Sequence, residues 1–250
     1  MAIVNSDIIT WYDIDEGTGT VLADESGNGD DASITGAAWS TGSGITNVGS
    51  YLAFNGGDYF DIDSALSAMF NAGQQTLSFW INFTDKADST LYSTNNIGSV
   101  ASIQSYLEDN TPAVFFAPQT INQRLVYAAS NITTGTWEHW CIVFDGTLSG
   151  NTNRFKLYVN GALASVSYVS TIGTTTTSTS NPLRWGMRQT GSSSFDFNGG
   201  LAQFAILDRG ITATEVGDIY NSGAGTTYSS LIGGGGGAVI PNALPLLGLR

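Results

Sequence analysis

The chain has 250 residues, of which 42% are hydrophobic and 12% are charged, so it can bury the core of one large β domain or two small ones. The formal net charge of -13 repels phosphate backbones, which excludes nucleic acid as an expected partner. Cys141 is the single cysteine, which excludes an internal disulfide and a cysteine zinc cluster. Its apolar run, HWCIVF, predicts a buried and inert thiol.

The amino-terminal part of the chain is strongly acidic. The acids that precede the first basic residue, Lys86, are Asp7, Asp13, Asp15, Glu16, Asp24, Glu25, Asp30, Asp31, Asp58, Asp61, Asp63 and Asp85. Such a region would attract cations, but solubility explains it equally well. The opening MAIVNSDIITWYDIDEG has neither a basic region nor a long apolar run, so we expect no Sec-type signal peptide. No stretch approaches the ~20 apolar residues of a membrane span, so we expect no membrane partner.

Alternating apolar residues predict strands in QTLSFWINFT, NRFKLYV and LAQFAILD. The predicted inward positions are Leu77, Phe79, Ile81, Phe155, Leu157, Val159, Phe204 and Ile206. Asn160-Gly161 predicts a two-residue hairpin turn, because positive φ is cheap at both residues. WEHWCIVFDG is almost continuously apolar, which indicates a central strand that is covered on both faces.

Helix signals are few. TATEVGDIYNSG contains a capping box, in which Thr212 and Glu215 satisfy each other's backbone amides, and Gly223 is a candidate stop. This pattern predicts a short helix of about two to three turns. SALSAMFNAG, residues 64–73, predicts a single helical turn, and the polar TIGTTTTSTSN predicts a loop or an edge strand.

The last segment differs from the rest of the chain. Five glycines, residues 233–237, precede an apolar tail that Pro241 and Pro245 interrupt, and Arg250 is the only charge after Ser222. The glycines and prolines forbid a regular helix there, so we expect a jelly-roll domain over residues 1–229 and an extended arm over residues 230–250. The arm residues expected to dock on a partner are Leu231, Ile232, Val239, Ile240, Leu244, Leu246, Leu247 and Leu249.

Several segments resemble, in order, the laminin-G-like and concanavalin A-like jelly-roll family. They are ITWYDIDEGTGTVLADESGNGDDASITGAAW, YLAFNGGDYFDID, TLSFWINF, GTWEHWCIVFDG, NRFKLYVNGALA and FNGGLAQFAILDRGITATEVGDIYNSG, and they cover about residues 8 to 223. The resemblance implies an all-β, antiparallel sandwich of jelly-roll type with one short helix near its C-terminus. It does not imply one function, since this fold hosts lectins, adhesive modules, hydrolases and virion parts.

The turn ADESGNGDDASITG begins like a calcium loop, with oxygen-bearing side chains at alternate positions before Gly29. Position 12 is Thr35 rather than a bidentate glutamate, which excludes an EF-hand. The resemblance implies another calcium route, through carboxylates on the closing strand, but Ala202 and Gln203 stand there. We expect no cofactor and favour a turn held by side-chain to backbone hydrogen bonds. The remaining calcium candidates are Asp24, Ser26, Asn28, and Asp30 or Asp31.

Signals for catalysis are weak. The glucanases of the family that this chain resembles have a pattern similar to Glu-x-Asp-x-x-Glu on one strand. No glutamate of this chain has an acidic residue two positions later. Glu138 and Asp145 would meet only by accident of folding. His139 and Cys141 share one strand face, yet the resemblance implies a packed, hydrogen-bonded histidine at this position. We therefore expect no enzymatic activity.

Three hypotheses of function remain. The first is a structural surface component of a virion, such as a phage capsid decoration or fiber subunit, that docks on other subunits, as a homo-oligomer, through the arm. Three expectations favour this virion hypothesis: no signal peptide is predicted, the domain stands alone, and the arm is apolar. The second is an extracellular carbohydrate-binding or adhesion module with a glycan partner, for which Trp185 and Tyr168 are candidate exposed platforms. The third is a hydrolase.

Overall fold

The computed structural model describes residues 2–62, 66–94, 102–109, 113–120, 122–178, 181–188 and 195–233. The described strands are β1 Ile8–Tyr12, β2 Val21–Leu22, β3 Ala32–Thr35, β4 Ala38–Thr41, β5 Ser50–Asn55, β6 Tyr59–Ile62, β7 Gln74–Phe83, β8 Ser89–Ser93, β9 Gln104–Glu108, β10 Ala113–Ala117, β11 Arg124–Ala128, β12 Trp137–Asp145, β13 Phe155–Val159, β14 Ala162–Leu163, β15 Ser167–Val169, β16 Leu183–Trp185 and β17 Asn198–Leu207. The described α-helices are α1 Asn151–Arg154, α2 Ala213–Tyr220 and α3 Tyr228–Gly233. Short 3-10 turns lie at Asn5–Asp7, Ser67–Met69, Ala129–Asn131 and Asn221–Gly223.

The strands form two antiparallel sheets that pack as a sandwich. The eight-stranded sheet has the order β14-β13-β12-β7-β17-β5-β4, with β1 paired to β17. The nine-stranded sheet has the order β15-β11-β10-β9-β8-β16-β6-β3-β2. Neighbours such as β7 and β17 are far apart in the sequence, which is typical of a jelly roll. The predicted fold class is confirmed.

The main core lies between the two sheets. Seven of the eight predicted inward residues are buried there, and Val159 is half-buried against the same cluster. Trp140 of β12 joins the layers, because its ring lies 5.4 Å from that of Phe83 in its own sheet and 5.7 Å from that of Phe116 in the other. The period-two alternation of the three strands therefore located the core.

Two local predictions for the strands are confirmed. β12 pairs with β7 on one side and β13 on the other, and its interior residues are buried on both faces. Asn160 and Gly161 join β13 to β14 with φ values of 51° and 77°. These left-handed conformations match a two-residue hairpin turn, in which glycine has no Cβ to clash.

β17 contains an irregularity at its centre. Its register against β7 shifts between Ala202 and Phe204, and the extra residue, Gln203, has a φ of 41°. Leu201 and Phe204 both face the main core, although they are three positions apart. A β-bulge thus changes which positions of β17 point inward.

α2 begins as its capping box predicts. The Glu215 amide donates to Thr212 Oγ1 at 3.3 Å, and the Thr212 amide donates to Glu215 Oε2 at 2.8 Å. The helix ends at Tyr220, where Asn221 adopts a left-handed conformation, and Gly223 closes the following 3-10 turn. Of the other local predictions, the helical turn near Ser67–Met69 is present, and residues 171–178 form a loop.

The start of the predicted arm packs on the sandwich. The boundary between residues 229 and 230 falls inside α3, whose Leu231 and Ile232 pack with Tyr228 against a cluster that includes Ile3 and Trp11. The Tyr228 amide also donates to Asp13 Oδ1 at 3.1 Å, so the boundary after 229 does not separate the two parts. These contacts arise because α3 presents apolar side chains to an uncovered part of the sheet. The other named arm residues, Val239, Ile240, Leu244, Leu246, Leu247 and Leu249, lie outside the described residues.

None of the helices in the described ranges is long and apolar enough to cross a membrane.

Candidate functional site

Two adjoining hollows lie on the outer face of the eight-stranded sheet and share Gly135 and Trp137. The helix-side hollow has a volume of ≈ 390 Å³, and its lining includes Ile45, Trp80, Thr136, Trp137, Asn160 and Tyr220. The strand-side hollow has a volume of ≈ 350 Å³, and its lining includes Tyr51, Ala53, Asn82, Trp137, Gly199 and Gly200. We call the two together the aromatic groove. Each hollow reaches the lower part of the size range of ligand pockets, about 300–1,000 Å³.

Aromatic pairs form the walls of the groove. Tyr51 and Trp137 meet edge to face, with ring centroids 5.1 Å apart and planes at 74°. Trp80 and Tyr220 lie 5.7 Å apart with planes at 30°. Tyr51, Trp137 and Tyr220 are each half-buried, so part of every ring faces the solvent. The groove thus offers several apolar rings whose positions are fixed by packing.

Gly200 allows Trp137 to lie across the sheet. A Cβ atom at this position would stand 2.6 Å from Cη2 of the Trp137 ring, closer than real contacts allow. Because glycine has no Cβ, the indole packs directly over the β17 backbone. Gly200, in the sequence FNGGLAQF, therefore forms part of the floor of the strand-side hollow.

Alternation along β12 places the groove residues on the outer face. Glu138, Trp140 and Ile142 are buried on the core side, whereas Trp137 and His139 point the other way. α2 covers the far end of this outer face but stops at Tyr220, which forms one wall of the helix-side hollow. The end of α2 thus decides where the sheet becomes open.

The groove is uncharged but contains unused hydrogen-bonding groups. Within the described part of the chain, no charged side chain lines either hollow. Trp80 Nε1 is buried and has no partner among these residues, and no hydrogen bond joins the Asn82 side chain to them. Asn160 Oδ1 accepts from the His139 amide at 2.9 Å, which leaves the Asn160 NH2 group to face the solvent. A ligand would find donors, an acceptor and aromatic rings here.

The candidate nucleophile and base lie beneath the groove rather than in it. Ser78 Oγ lies 2.8 Å from His139 Nε2, and Cys141 follows on the same outer face. Burial lowers the pKa of His139 to about 3 and raises the pKa of the Cys141 thiol. All three side chains are buried, and His139 Nδ1 has no partner among the described residues. The expectation of a packed, hydrogen-bonded histidine is confirmed.

Glu138 and Asp145 stand at opposite ends of β12. Glu138 is buried on the core side and accepts from Trp140 Nε1 at 2.9 Å. Asp145 accepts from the Thr147 amide at 3.0 Å in the turn after the strand. At about 3.3 Å per residue, seven positions separate the two carboxylates by roughly 23 Å. They do not form a pair across a groove.

Asp24 is the acceptor that holds the calcium-like turn together. Its Oδ1 accepts from the Trp11 amide at 3.0 Å and the Ser26 amide at 3.1 Å, and its Oδ2 accepts from Ser26 Oγ at 2.7 Å and the Asp30 amide at 3.2 Å. Burial raises the pKa of Asp24, but these hydrogen bonds outweigh it and hold the pKa below its usual range.

The side chains of this turn are engaged in hydrogen bonds within the protein. The Asn28 side-chain amide donates to the carbonyl oxygens of Ile8 and Ile9, both at 2.9 Å, so its NH2 group and not its oxygen faces the strand. The lone pairs of Asp24 already accept from amides and hydroxyls. Across the described ranges, no three His, Cys, Asp or Glu side chains cluster as metal ligands. The geometry is that of a turn held by side-chain to backbone hydrogen bonds.

The sequence-based choice of exposed aromatic residues was wrong for Trp185. Its ring is buried in the main core, 4.7 Å from Phe79, because Leu183 and Trp185 of β16 both point inward. Tyr168 is half-buried, and its hydroxyl donates to the Phe155 carbonyl at 2.6 Å. Neither residue lines the groove.

The residues that do line the groove carried a weaker sequence signal. Trp137 begins the run WEHWCIVF, which is apolar on both faces, so its period does not show which face stays open. Its position after the turn TTGT, beside Gly200 in a distant strand, becomes informative only once β12, β7 and β17 are neighbours.

A family model matches two thirds of the chain. The model is Laminin_G_3, described as concanavalin A-like lectin/glucanases superfamily, and it matches residues 54–217. No curated protein matches the chain. The matched range includes the end of β5, all of β6 to β17 and most of α2, and with them most of the residues that line the aromatic groove.

Solved structures with the same fold have low sequence identity to the chain. The receptor-binding domain of the botulinum neurotoxin C/D mosaic serotype has a TM-score of 0.62 at 15% identity, and the match covers 87% of this chain and 52% of that chain. Domain 4 of AbnA, an extracellular arabinanase from Geobacillus stearothermophilus, in complex with arabinotriose, has a TM-score of 0.55 at 16% identity, with coverages of 85% and 97%. Trypanosoma rangeli sialidase has a TM-score of 0.60 at 14% identity, with coverages of 88% and 34%. The chain thus spans about half of the toxin domain and nearly all of the arabinanase domain.

Proposed function

Because the chain belongs to the concanavalin A-like lectin/glucanase superfamily, we propose that it is a carbohydrate-binding domain whose site is the aromatic groove. One observation carries this proposal. Half-buried aromatic rings, those of Tyr51, Trp137 and Tyr220, line an uncharged groove that also contains unused amide groups. Sugar rings have apolar C–H faces that pack on aromatic rings, and hydroxyl groups that bond to amides, so they match both features.

Two relatives support the proposal by what they bind. The arabinanase domain that the chain matches over 97% of that domain's length was solved with arabinotriose. The toxin domain is described as a receptor-binding domain. The arabinanase is described as extracellular. We accordingly place the function of this chain outside the cell.

We infer that the domain binds without catalysis. Glycoside hydrolysis needs two carboxyl groups, about 5–9.5 Å apart, that face each other across the bound sugar. No carboxylate among the described residues lines the groove, and Glu138 points into the core. A sialidase among the structural neighbours shows that enzymes also contain this fold, so the inference depends on the groove and not on the fold.

A matched pair of variants tests the proposal. Trp137→Ala removes a half-buried indole from the groove, and Trp39→Ala removes a half-buried indole that packs on the main core instead. Binding to a glycan microarray should be lost in Trp137→Ala and retained in Trp39→Ala, with circular dichroism to show that both remain folded. Absence of binding by the unmodified chain to any glycan on the array would refute the proposed function.

A structural role in an assembly, such as a virion, is a second proposal. The sequence after Ser230 supports it, because eight Leu, Ile and Val residues share a segment with one charge. Leu231 and Ile232 already pack on their own sandwich, so docking would depend on the residues that follow α3. A chain shortened to end at Gly233 should stay folded but lose self-association in light scattering. Unchanged oligomeric size after this deletion would count against the proposal.

A further inference from the structure

The aromatic groove is divided into two hollows by the Trp137 ring. Trp80, Asn160 and Tyr220 line only the helix-side hollow, and Tyr51 and Asn82 line only the strand-side hollow. Trp137 and Gly135 border both. Each hollow therefore has its own aromatic ring and its own asparagine, and the two are joined across one indole. This repetition fits a ligand that is itself built from repeated units.

The charge around the groove determines which ligands it favours. The chain has a formal net charge of -13 and 21 acidic residues, yet no charged side chain from the described ranges lines either hollow. A carboxylate, sulfate or phosphate on the ligand would meet a repulsive field and would find no cation to pair with. A neutral ligand would meet neither penalty. The groove therefore disfavours acidic glycans.

The unused hydrogen-bonding groups also point to hydroxyl-bearing units. Trp80 Nε1 is a buried donor without a partner among the described residues, and leaving a buried donor unpaired is unfavourable. Asn82 can both donate and accept, and the Asn160 NH2 group donates. A hydroxyl group is able to satisfy either kind of partner. Each hollow thus has an unused polar group beside its aromatic ring.

We infer that the groove selects a neutral glycan of at least two consecutive sugar rings, with one ring in each hollow and the link between them over Trp137. This inference rests on the proposed function and extends it to the charge and the length of the ligand. Contacts in the two hollows act on one molecule, so occupying the second hollow adds affinity without the full cost of a second association.

A glycan microarray with matched neutral and acidic members tests the charge and the length. It carries neutral glycans of one to six rings beside their sialylated, sulfated and uronic acid counterparts. Neutral glycans of two or more rings should bind at least 10-fold more tightly than the acidic counterparts and than single rings. Equal or tighter binding of acidic glycans, or of monosaccharides, would overturn the inference while leaving carbohydrate binding in place. Absence of binding to every glycan would instead remove the proposed function itself.

Titration calorimetry with the tightest neutral glycan of the array tests the two hollows. Trp80→Phe removes the indole donor from the helix-side hollow, and Asn82→Ala removes the amide from the strand-side hollow. Each change should weaken the binding of this glycan 3-fold to 10-fold, and the double variant should weaken it further. Wild-type affinity in either single variant would show that the ligand does not span both hollows.

Two controls match these variants. Trp39→Phe changes an indole that packs on the main core, and Asn153→Ala changes an exposed asparagine in α1. Both should bind the glycan as the unmodified chain does. Asn82 is half-buried and lies at the surface of β7, so Asn82→Ala still tests the inference if Trp80→Phe does not fold.

Discussion

The outer face of the eight-stranded sheet has two ends that differ in their cover. At one end, α2 and α3 bury Cys141, Val143, Ala205 and Leu207 in an apolar cluster. At the other end, Trp80 of β7 and Trp137 of β12 line the aromatic groove, which remains open.

The difference does not come from polarity, because both ends are apolar. It comes from the length of α2, which ends at Tyr220 and does not reach the groove. It also comes from Gly200, over which the Trp137 ring packs where the helix is absent. The open end is therefore a place where the fold leaves apolar surface for another molecule. Four experiments address this comparison, from the largest expected effect to the smallest.

The largest effect is expected from Glu215→Ala at the covered end. Glu215 accepts from Arg209 Nη2 at 2.6 Å and caps α2 through Thr212, and its side chain is only 3% exposed. Removing it breaks a buried ion pair and a cap, so the free energy of unfolding should fall by about 3 kcal/mol. Urea denaturation measures this change. Asp218→Ala, at an exposed site on the same helix, should change it by less than about 0.5 kcal/mol.

The second experiment concerns His139, which is buried between the covered end and the groove. Acid should lower the free energy of unfolding through this residue. Burial lowers the pKa of His139 to about 3, below the unfolded value near 6.5, so only the unfolded state takes up this proton between these values. The stability from the neutral ring is present above pH 6.5 and falls as the pH drops towards 3. At pH 5 the loss should be about 2 kcal/mol.

The variant His139→Gln isolates this effect, because His139 is the only histidine of the chain. Between pH 7 and pH 5, the unmodified chain should lose about 2 kcal/mol more in urea denaturation than the variant does. A variant that loses as much as the unmodified chain would show that His139 does not set the pH dependence. The carboxylates are common to both proteins and cancel in the difference.

A smaller loss of stability is expected from Gly200→Ala at the open end. The new methyl group would meet Trp137 Cη2 at 2.6 Å, so the indole must move away from β17. Overpacking of this kind costs about 1–2 kcal/mol. Glycan binding should fall at least 10-fold, since Trp137 borders both hollows. Gly217→Ala, where a Cβ meets no atom within 4 Å, is the control, and it should bind normally.

The smallest effect is expected from chelation. The Asp24 turn braces β1 at the covered end, through the Trp11 amide and the Thr10 hydroxyl, and its hydrogen bonds come from the protein. EDTA should therefore shift the melting temperature by less than about 2 °C in calorimetry. A decrease of more than about 10 °C would require a structural metal, since it corresponds to a few kcal/mol of linked binding.

The inner face of the sandwich was predictable from sequence, and the outer face was not. Alternation in β7 identified Leu77, Phe79 and Ile81 as core residues, because the period of a strand is set locally. Whether Trp80 on the opposite face is covered depends on Tyr220, 140 positions later. No local pattern contains that information.

The predictions for Trp185 and for α3 were both wrong because local sequence does not show contacts with distant strands. Trp185 stands in a short strand with polar flanks and was taken for an exposed residue, yet it lies in the core. Tyr228, Leu231 and Ile232 stand beside a run of glycines and were assigned partly to an arm, yet they pack on the sandwich. In both cases the partner surface comes from distant strands, so the sequence window around the residue does not reveal it.

The bulge at Gln203 has a consequence for engineering and for sequence alignment. Before it, the inward residues of β17 have odd numbers, such as Leu201, and after it they have even numbers, such as Phe204 and Ile206. Gln203 is an extra residue in the strand, so the inward-facing positions change from odd to even residue numbers after it. A homologue that lacks this single residue would have to be aligned with a one-position gap there. A deletion of Gln203 alone would remove the bulge and leave regular alternation, with Leu201, Phe204 and Ile206 still on the inner face.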